Sequence, residues 1–362
     1  MTVQSVGCFA SAGCVCTGSS PPACSGQTQA PVLQLLRDAN TGALTSAVLG
    51  ISTTGWAYNS FGELVAQQST QGATALYAES LTRDKLGRIT NKVETITGVT
   101  VVREYEYDAR GRLQQVQEDG VLVSGYVYDP NGNRLSRSTS TSSLTGVYDD
   151  RDRLVSYGGV DYEYSADGEL TTKTIATTGA ATTYDYDELG NLLEVELPDS
   201  RVIEYEVDAQ NRRVGRKVDG VVTHRWLYQN QLKPIAELDG SGTLVSLFVY
   251  GTRSQVPDLM LRAGVTYRII SDHVGSVRLV VNLDTGAIAQ RLDYDEFGNV
   301  LVDTNPDWQP FGFAGGCTTR TPGSCGLGQG TTTRCQGGGR RKIRYCSVGE
   351  APTSMATSGT TR

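Results

Sequence analysis

Short runs of alternating apolar and polar residues, separated by turn-forming residues, fill the middle of the chain. Tyr-x-Tyr occurs at 105–107, 126–128 and 184–186, and this alternation places both rings on one face of a β-strand. An Asp follows each pair, and a Gly or, in one copy, Asn211 follows three residues later. Asp can accept hydrogen bonds from the backbone of a turn, and Gly and Asn tolerate the positive φ that a tight hairpin loop requires. Each run therefore predicts a β-hairpin. The turn glycines are Gly111, Gly132, Gly190 and Gly298.

The hairpin motif returns about every 20 residues, a spacing typical of repetitive architectures. Consecutive hairpins are joined by second turns such as Asp119-Gly120 and Asp219-Gly220, and 239–242 is also a hairpin turn. A row of about ten hairpins makes one long sheet whose Tyr/Leu/Val face has to be covered. No amphipathic helical stretch is available to cover it. We therefore predict an all-β fold, in which an array of antiparallel β-hairpins forms a long curved or spiralling sheet with at least one exposed edge.

Composition supports the strand assignment and limits the partners. The chain has 18 Tyr against 6 Phe and 3 Trp, and Tyr favours half-buried strands. The net charge of −7 is unevenly spread: residues from 317 onwards carry +6, which leaves −13 on residues 1–316. An acidic body argues against nucleic acid or an anionic membrane as a partner. The sequence has no apolar run of transmembrane length and no basic segment typical of the start of a signal peptide.

Neither the cysteines nor the acidic residues indicate a metal or cofactor site. The 8 Cys lie only near the two ends of the chain, and the two histidines, His224 and His273, are far from them in sequence. Zinc sites usually combine closely spaced Cys and His, and calcium loops follow D-x-D-x-D-G, but neither pattern occurs here. The chain also lacks a P-loop and a dinucleotide-binding fingerprint. We therefore predict no metal and no cofactor.

One short stretch raises the question of hydrolase chemistry. Asp272 and His273 lie beside Ser271 and Ser276, and these residue types form catalytic triads. Sequence neighbours rarely meet in triad geometry, however, and neither Ser lies in a G-x-S-x-G nucleophile elbow. The favoured interpretation places His273 on a strand, and we predict no catalytic residue.

The repeated Y-x-Y-D-x-x-G-R/N-L unit resembles the YD repeat of RHS proteins, which is shared with the shell domains of insecticidal toxin complexes and teneurins. The resemblance covers residues 33–316. Residues 267–276 resemble a segment near the end of the RHS core, and 293–298 and 309–315 match the segments that follow it. The resulting domain prediction is a disordered leader at 1–30, YD/RHS repeats at 31–260, a core-associated terminal segment at 261–316 and a disordered tail at 317–362.

The tail from Cys317 onwards departs from the family pattern. In the family this region typically reads YDxxTGLxxFGARxYDP, whereas here Thr-Thr-Arg occurs three times. Read one base earlier, codons for Thr-Thr-Arg can encode Tyr-Asp-Pro or Asn-Asp-Pro, and the whole tail can be back-translated into the family's ending. We therefore predict that residues 317–362 are an out-of-frame tail without a fold, consistent with their high Gly and Thr content.

The resemblance implies a hollow shell of β-strands that encloses a C-terminal cargo, often a toxin, in an exported or cell-surface protein. In many members the end of the core is an aspartyl autoprotease, but its acidic positions match Thr and Arg residues of the tail here, so no catalytic residue is carried over. We therefore expect a non-enzymatic, frameshift-truncated shell fragment without cargo or autoprotease. The implied partners of the intact parent are an enclosed toxin domain and secretion machinery.

Two alternative functions remain open at this point. The first is a carbohydrate-binding cell-surface module, because rows of Tyr rings can stack on sugars and a cell-surface glycan would then be the partner. The second is an autoprotease whose acids come from residues 1–316 rather than from the tail.

Overall fold

The computed structural model describes residues 2–6 and 32–316 of the chain. These residues form 27 β-strands and one short 3-10 turn. The strands are β1 (Thr2–Val6), β2 (Leu33–Arg37), β3 (Leu44–Leu49), β4 (Ser52–Tyr58), β5 (Leu64–Gln71), β6 (Thr74–Arg83), β7 (Ile89–Ile96), β8 (Val99–Tyr107), β9 (Leu113–Glu118), β10 (Val121–Tyr128), β11 (Arg134–Ser138), β12 (Ser143–Tyr148), β13 (Leu154–Tyr157), β14 (Val160–Tyr164), β15 (Leu170–Ile175), β16 (Ala181–Tyr186), β17 (Leu192–Glu196), β18 (Val202–Val207), β19 (Arg213–Val218), β20 (Val221–Tyr228), β21 (Pro234–Asp239), β22 (Leu244–Val249), β23 (Leu259–Arg262), β24 (Val265–Ser271), β25 (Val277–Asn282), β26 (Ile288–Tyr294) and β27 (Val300–Asp303), and the 3-10 turn is Phe313–Gly315.

The strands form one continuous antiparallel meander. Each strand pairs with the next one along the chain, from β1 to β27. Within the described ranges, β27 pairs only with β26 and is therefore an edge strand. The prediction of an all-β array of hairpins is confirmed, and the hairpins from β2–β3 to β26–β27 number 13 rather than about ten.

The predicted turn chemistry is present at the ends of these hairpins. Gly111 has a φ of 78°, and Asn211, which replaces glycine in its own repeat, has a φ of 58°. The Asp108 carboxylate accepts hydrogen bonds from the backbone N–H groups of Arg110 and Arg112, each at 2.9 Å. A type I turn followed by a left-handed residue is the usual three-residue hairpin loop. The remaining predicted glycines, Gly132, Gly190 and Gly298, have φ values of 91°, 79° and 87°.

The second set of turns, at the opposite ends of the strands, is tighter. Asp119 and Gly120 both have positive φ, at 48° and 79°, and Asp219 and Gly220 repeat this at 49° and 76°. Two consecutive left-handed residues define the type I′ turn, whose twist matches that of the flanking strands. The predicted turns at these positions are therefore confirmed.

A ladder of tyrosine contacts joins neighbouring hairpins. The Tyr107 hydroxyl donates a hydrogen bond to the Ile89 carbonyl at 2.7 Å, and Ile89 lies two residues after the turn glycine of the preceding hairpin. The Arg112 guanidinium of the same hairpin, which also pairs with Asp108 at 2.6 Å, lies 4.8 Å from the centre of the Tyr128 ring in the next hairpin. The same hydroxyl-to-carbonyl bond is made by Tyr58, Tyr148, Tyr164, Tyr228 and Tyr250.

The sheet is rolled up so that its last strands lie inside its first ones. We call the face that carries Tyr126, Tyr162 and Tyr205 the inner face, and the opposite face the outer face. The C-terminal layer, defined as β23–β26, packs against the inner face of β2–β7. Residues 305–316 then cover the other side of this layer.

Buried apolar side chains line both contacts of the C-terminal layer, and each Val, Leu, Ile, Phe or Met among them contributes roughly 1.5–3 kcal/mol relative to exposure. Between the layer and the first strands lie Leu33, Leu35, Ala47, Leu49, Leu259, Leu283, Leu76, Tyr77, Ile96, Ile270, Leu279 and Val281. Between the layer and residues 305–316 lie Phe248, Val256, Met260, Ile269, Val277, Val280, Leu292, Tyr294 and Phe311.

Two predicted boundaries differ from the structure. Thr2–Val6, predicted to be part of a disordered leader, forms strand β1 beside β2. The predicted division at residue 260 falls inside β23, and the sheet continues through it without interruption. The rest of the leader and the predicted out-of-frame tail lie outside the described residues.

Replacing Gly111 with Val should lower the free energy of unfolding by about 1–2 kcal/mol, because a side chain disfavours the left-handed conformation of this position. Gly111→Asn is the matched control and should cost less, since Asn211 holds the same place in its own turn. Urea titrations measure both variants, and equal losses for Val and Asn would contradict this account of the turn.

Removing the hydroxyl of Tyr107 by a Tyr107→Phe change should cost about 1 kcal/mol, because the Ile89 carbonyl loses its hydrogen bond. Tyr162→Phe is the control, since the buried Tyr162 hydroxyl has no hydrogen-bond partner among the described residues. Its removal should leave the unfolding free energy unchanged or raise it. A greater loss at Tyr162 than at Tyr107 would show that the ladder does not stabilise the repeats.

Candidate functional site

Ionised side chains, and not only apolar ones, hold the C-terminal layer against the first repeats. Glu79 on β6 and Glu94 on β7 are cross-strand partners on the inner face, with side chains 0% and 3% exposed. Buried carboxylates are costly unless cations and hydrogen bonds surround them. We call the group formed by Glu79, Lys92, Glu94, His273 and Arg278 the ionic seam.

Glu94 lies at the centre of the ionic seam. Its carboxylate is 3.0 Å from Lys92 Nζ, 3.0 Å from Arg103 Nη1 and 2.9 Å from Arg278 Nη2. Burial by itself would raise the pKa of Glu94, but Lys92, Arg278 and Arg103 outweigh burial and lower the pKa to about 2. Arg278 also contacts Asp293 at 3.0 Å, so it joins the first repeats to two strands of the C-terminal layer.

Glu79 is matched mainly by hydrogen bonds. The Tyr77 hydroxyl lies 3.1 Å from Glu79 and 2.9 Å from Glu94, so its one proton is shared between the two carboxylates, and His273 Nδ1 lies 3.1 Å from Glu79 Oε2. Burial and the two neighbouring carboxylates raise the pKa of Tyr77 well above its usual value, which keeps its hydroxyl protonated and able to donate. The tip of the β24–β25 hairpin is thereby attached to β6.

A second polar contact lies beside the seam. Arg268 on β24 pairs with Asp258 at 3.0 Å and donates to the Thr54 hydroxyl at 3.3 Å. Asp258 in turn accepts hydrogen bonds from the backbone of Gly251 and Thr252, both at 2.7 Å. The adjoining cavity has a volume of about 10 Å³, enough for one water but not for a metabolite.

The tip of the last hairpin makes the third contact, with the inner face of β10 and β11. Phe297 packs edge-on against Tyr126 with ring centres 5.0 Å apart, and the Arg134 guanidinium lies 4.7 Å from the Phe297 ring. Glu296 accepts a hydrogen bond from the Tyr126 hydroxyl. Asp295 is 4.0 Å from Arg137. The tip therefore spans the interior of the roll.

The residues considered as a hydrolase triad have other partners. Asp272 Oδ1 accepts backbone hydrogen bonds from Val274 and Ser276, and Ser276 Oγ accepts one from Ala314 N. The placement of His273 on a strand was wrong: it lies in the turn between β24 and β25, where Asp272 to Gly275 repeat the hairpin chemistry of the YD units. His273 contacts Glu79 instead of a serine.

Sequence reasoning missed the charged residues of the seam. The sequence pattern that could have revealed them is their spacing along β7. Lys92 and Glu94 lie at every second position before Ile96, so all three face the same side of the strand, where Ile96 is buried. Charges at inward positions indicate that another charged surface covers that face. The covering residue, Arg278, could not be paired with Glu94 from sequence because 184 positions separate them.

The arrangement is suited to holding surfaces together rather than to catalysis. Glu79, Glu94 and Arg278 are nearly inaccessible, so a substrate cannot approach them. Among residues 2–6 and 32–316, no group of three or more His, Cys, Asp or Glu side chains is arranged to hold a metal ion. No helix in the same ranges is long and apolar enough to cross a membrane.

Glu94→Gln should destabilise the protein by about 3–5 kcal/mol, because Lys92, Arg103 and Arg278 would then face one another without the buried anion. The exposed Glu104 on β8 gives the control, and Glu104→Gln should change the unfolding free energy by less than about 0.5 kcal/mol.

The pH dependence provides a second readout of the same variant. Because the folded pKa of Glu94 is about 2 and its ordinary value is 4.5, its stabilisation is complete above pH 4.5 and is lost as the pH falls through 2. Glu94→Gln should lack this part of the acid dependence, as measured by urea titrations at several pH values. An unchanged acid profile would contradict the central role of Glu94.

Comparison with known proteins agrees with this architecture. The family model described as Teneurin YD-shell matches residues 28–321. Human Teneurin-4 is 27% identical over 269 residues, which is 72% of this chain and 9% of Teneurin-4. The tRNA nuclease WapA of Bacillus subtilis (strain 168) is 23% identical over 193 residues, 52% of this chain and 8% of WapA. The chain thus spans less than a tenth of the length of these relatives.

Solved structures give a weaker likeness. The crystal structure of TcdB2-TccC3 has a TM-score of 0.42 and 15% sequence identity, covering 79% of this chain and 20% of that one. The family model, in contrast, covers nearly all of the repeats and the C-terminal layer. The chain therefore belongs to the teneurin YD-shell family of RHS/YD-repeat proteins.

Proposed function

We propose that this chain is a structural segment of an RHS/YD-repeat shell that encloses and delivers a C-terminal cargo and performs no chemistry of its own. The parent would be an exported or cell-surface protein, with a toxin domain as cargo and secretion machinery as a further partner. Family membership supports the shell role. The relative named as a tRNA nuclease supports a toxic cargo in the wider group.

The observation that carries the proposal is the position of the chain where the described part ends. Ala314 donates a hydrogen bond to Ser276 Oγ at 3.0 Å, and the Gly312 carbonyl accepts one from Val277 N at 3.2 Å. Phe311 is buried against Phe248 with ring centres 5.0 Å apart. Residues up to Gly316 are thus fixed on the inner side of the C-terminal layer. A polypeptide that continues from there starts inside the roll.

Neither alternative function gains support from the geometry. Within residues 2–6 and 32–316, no tyrosine ring is exposed, so the rows of Tyr offer no open platform for stacking on a sugar. The buried pair Glu79 and Glu94 is hydrogen-bonded to Tyr77 and covered by the C-terminal layer. An autoprotease needs two carboxylates that reach a peptide bond and share a proton, which this pair cannot do.

Enclosure is tested by inserting a protease recognition sequence directly after Gly316 in the full chain. The proposal predicts cleavage at least about tenfold slower than that of the same sequence inserted at the exposed tip residue Leu189, which is 76% exposed, because a protease requires local opening to reach the enclosed site. Cleavage is followed on denaturing gels.

The Glu94→Gln variant is the second control, because loosening the ionic seam should bring the rate after Gly316 close to the rate at the exposed tip. Equal rates at the two sites in the unmodified chain would overturn the proposal that the shell encloses the polypeptide beyond Gly316.

A further inference from the structure

The sheet from β11 to β20 separates its charges by face. Cross-strand partners of the inner tyrosines include Arg137 opposite Tyr126, Lys173 opposite Tyr162 and Arg216 opposite Tyr205. At the inner positions of these strands Lys and Arg occur, and Asp and Glu do not. The basic residues are Arg134, Arg137, Lys173, Arg213 and Arg216.

The outer face of the same strands has the opposite sign. Glu194 lies between Asp185 and Glu204, one on each neighbouring strand, although like charges in direct opposition are unfavourable. Only Lys217 and Arg225 offset the outer acids. The outer acids are Asp161, Glu163, Asp185, Glu194, Glu196, Glu204 and Glu206. The segregation by face is therefore not a consequence of composition, because the chain as a whole is acidic.

One inner cation lacks a counter-charge. Lys173 makes no ion pair with any described residue, and burial lowers the pKa of its amine to about 8. A largely buried cation without a counter-charge is unfavourable, so a ligand that carries negative charge and accepts hydrogen bonds would stabilise this side chain.

The molecule already places carboxylates of its own against this face. The last hairpin brings Asp295 to 4.0 Å from Arg137 and Glu296 to the Tyr126 hydroxyl. Both acids belong to a polypeptide segment that lies inside the roll. The inner face therefore accepts an enclosed acidic turn at β10 and β11. The row of inner basic residues continues from there to Lys173 on β15.

We infer that the inner face of β11–β20 binds an acidic polypeptide segment, with Lys173 as its central cation. The inference rests on the proposed function, since the bound segment would be part of the enclosed chain. Single-stranded nucleic acid also combines with basic and aromatic surfaces, but it requires ring faces open to stacking. The inner rings are partly buried, and Tyr164 and Tyr228 use their hydroxyls for backbone carbonyls. Carboxylates on a peptide fit this face better.

The test uses the full chain and a fluorescent poly-L-glutamate peptide, with binding followed by anisotropy. Poly-L-glutamate should bind, and its affinity should fall as salt is added. Lys173→Met should weaken binding about fivefold, as expected for one partly desolvated charge pair. Lys217→Met is the matched control, because Lys217 lies on the outer face beside Glu204 and Glu206, and it should leave the affinity unchanged.

Hydrogen exchange gives a second, local measurement that basic residues elsewhere in the chain cannot reproduce. Poly-L-glutamate should slow exchange in β14–β16, around Lys173, in the unmodified chain and not in Lys173→Met. Circular dichroism checks that both variants fold.

Four results would overturn the inference: equal effects of the two Met variants, no change of exchange in β14–β16, tighter binding of poly-L-lysine, or tighter binding of an oligothymidylate. Failure here together with slow cleavage after Gly316 would leave enclosure standing and remove only the preference for acidic segments. Binding of poly-L-glutamate together with fast cleavage after Gly316 would leave the preference for acidic segments standing and remove enclosure.

Discussion

The hydrogen bond from a tyrosine hydroxyl to a backbone carbonyl of the preceding hairpin is the contact on which the repeat depends. A lone two-stranded hairpin is marginal in water, so each unit has to gain its stability from its neighbours. Tyr107 and five other tyrosines reach back over the previous turn, where each hydroxyl satisfies a backbone carbonyl, as Tyr107 does with Ile89. The arginine after the turn glycine stacks on the next such ring, as Arg112 does on Tyr128. Tyr rather than Phe is needed because the bond requires the hydroxyl.

This ladder fixes neighbouring hairpins but leaves the inner face uncovered. The chain covers part of it with its own last strands, and the covering contact is polar as well as apolar. Buried ion pairs add little net stability compared with apolar packing, but losing one partner is costly. The ionic seam therefore acts against wrong placements of the C-terminal layer: a shifted layer would leave Glu94 or Arg278 without its counterion. We regard this positional selectivity as the main consequence of burying charges there.

The part of the inner face that the C-terminal layer does not cover has a different character. From β11 to β20 its charges are basic, although the chain has a net charge of −7. Side chains alternate between the two faces along each strand, so Lys173 takes an inner position on β15 while Asp161 and Glu163 take outer positions on the neighbouring β14. A shell wall of this kind presents one sign to the interior and the other to the exterior.

The sequence by itself determined the strands, the turn types and the repeat, because these depend on residues that are near one another along the chain. The spacing of Asp and Gly in the turns and the alternation of Tyr along the strands are local features. So is Asn211, which holds in its own turn the position that Gly111 holds in another. The inward charges of β7 are a departure from apolar alternation in the sequence, but their meaning was missed. Their partners were not visible. The contacts of Glu94 with Arg278 and of Glu79 with His273 join residues 184 and 194 positions apart. Such contacts depend on the small twist and bend between successive strands, added up over the 18 steps from β7 to β25, and no local sequence pattern specifies that total. Only the tertiary structure decided that the sheet rolls up with its end inside and which charges meet there.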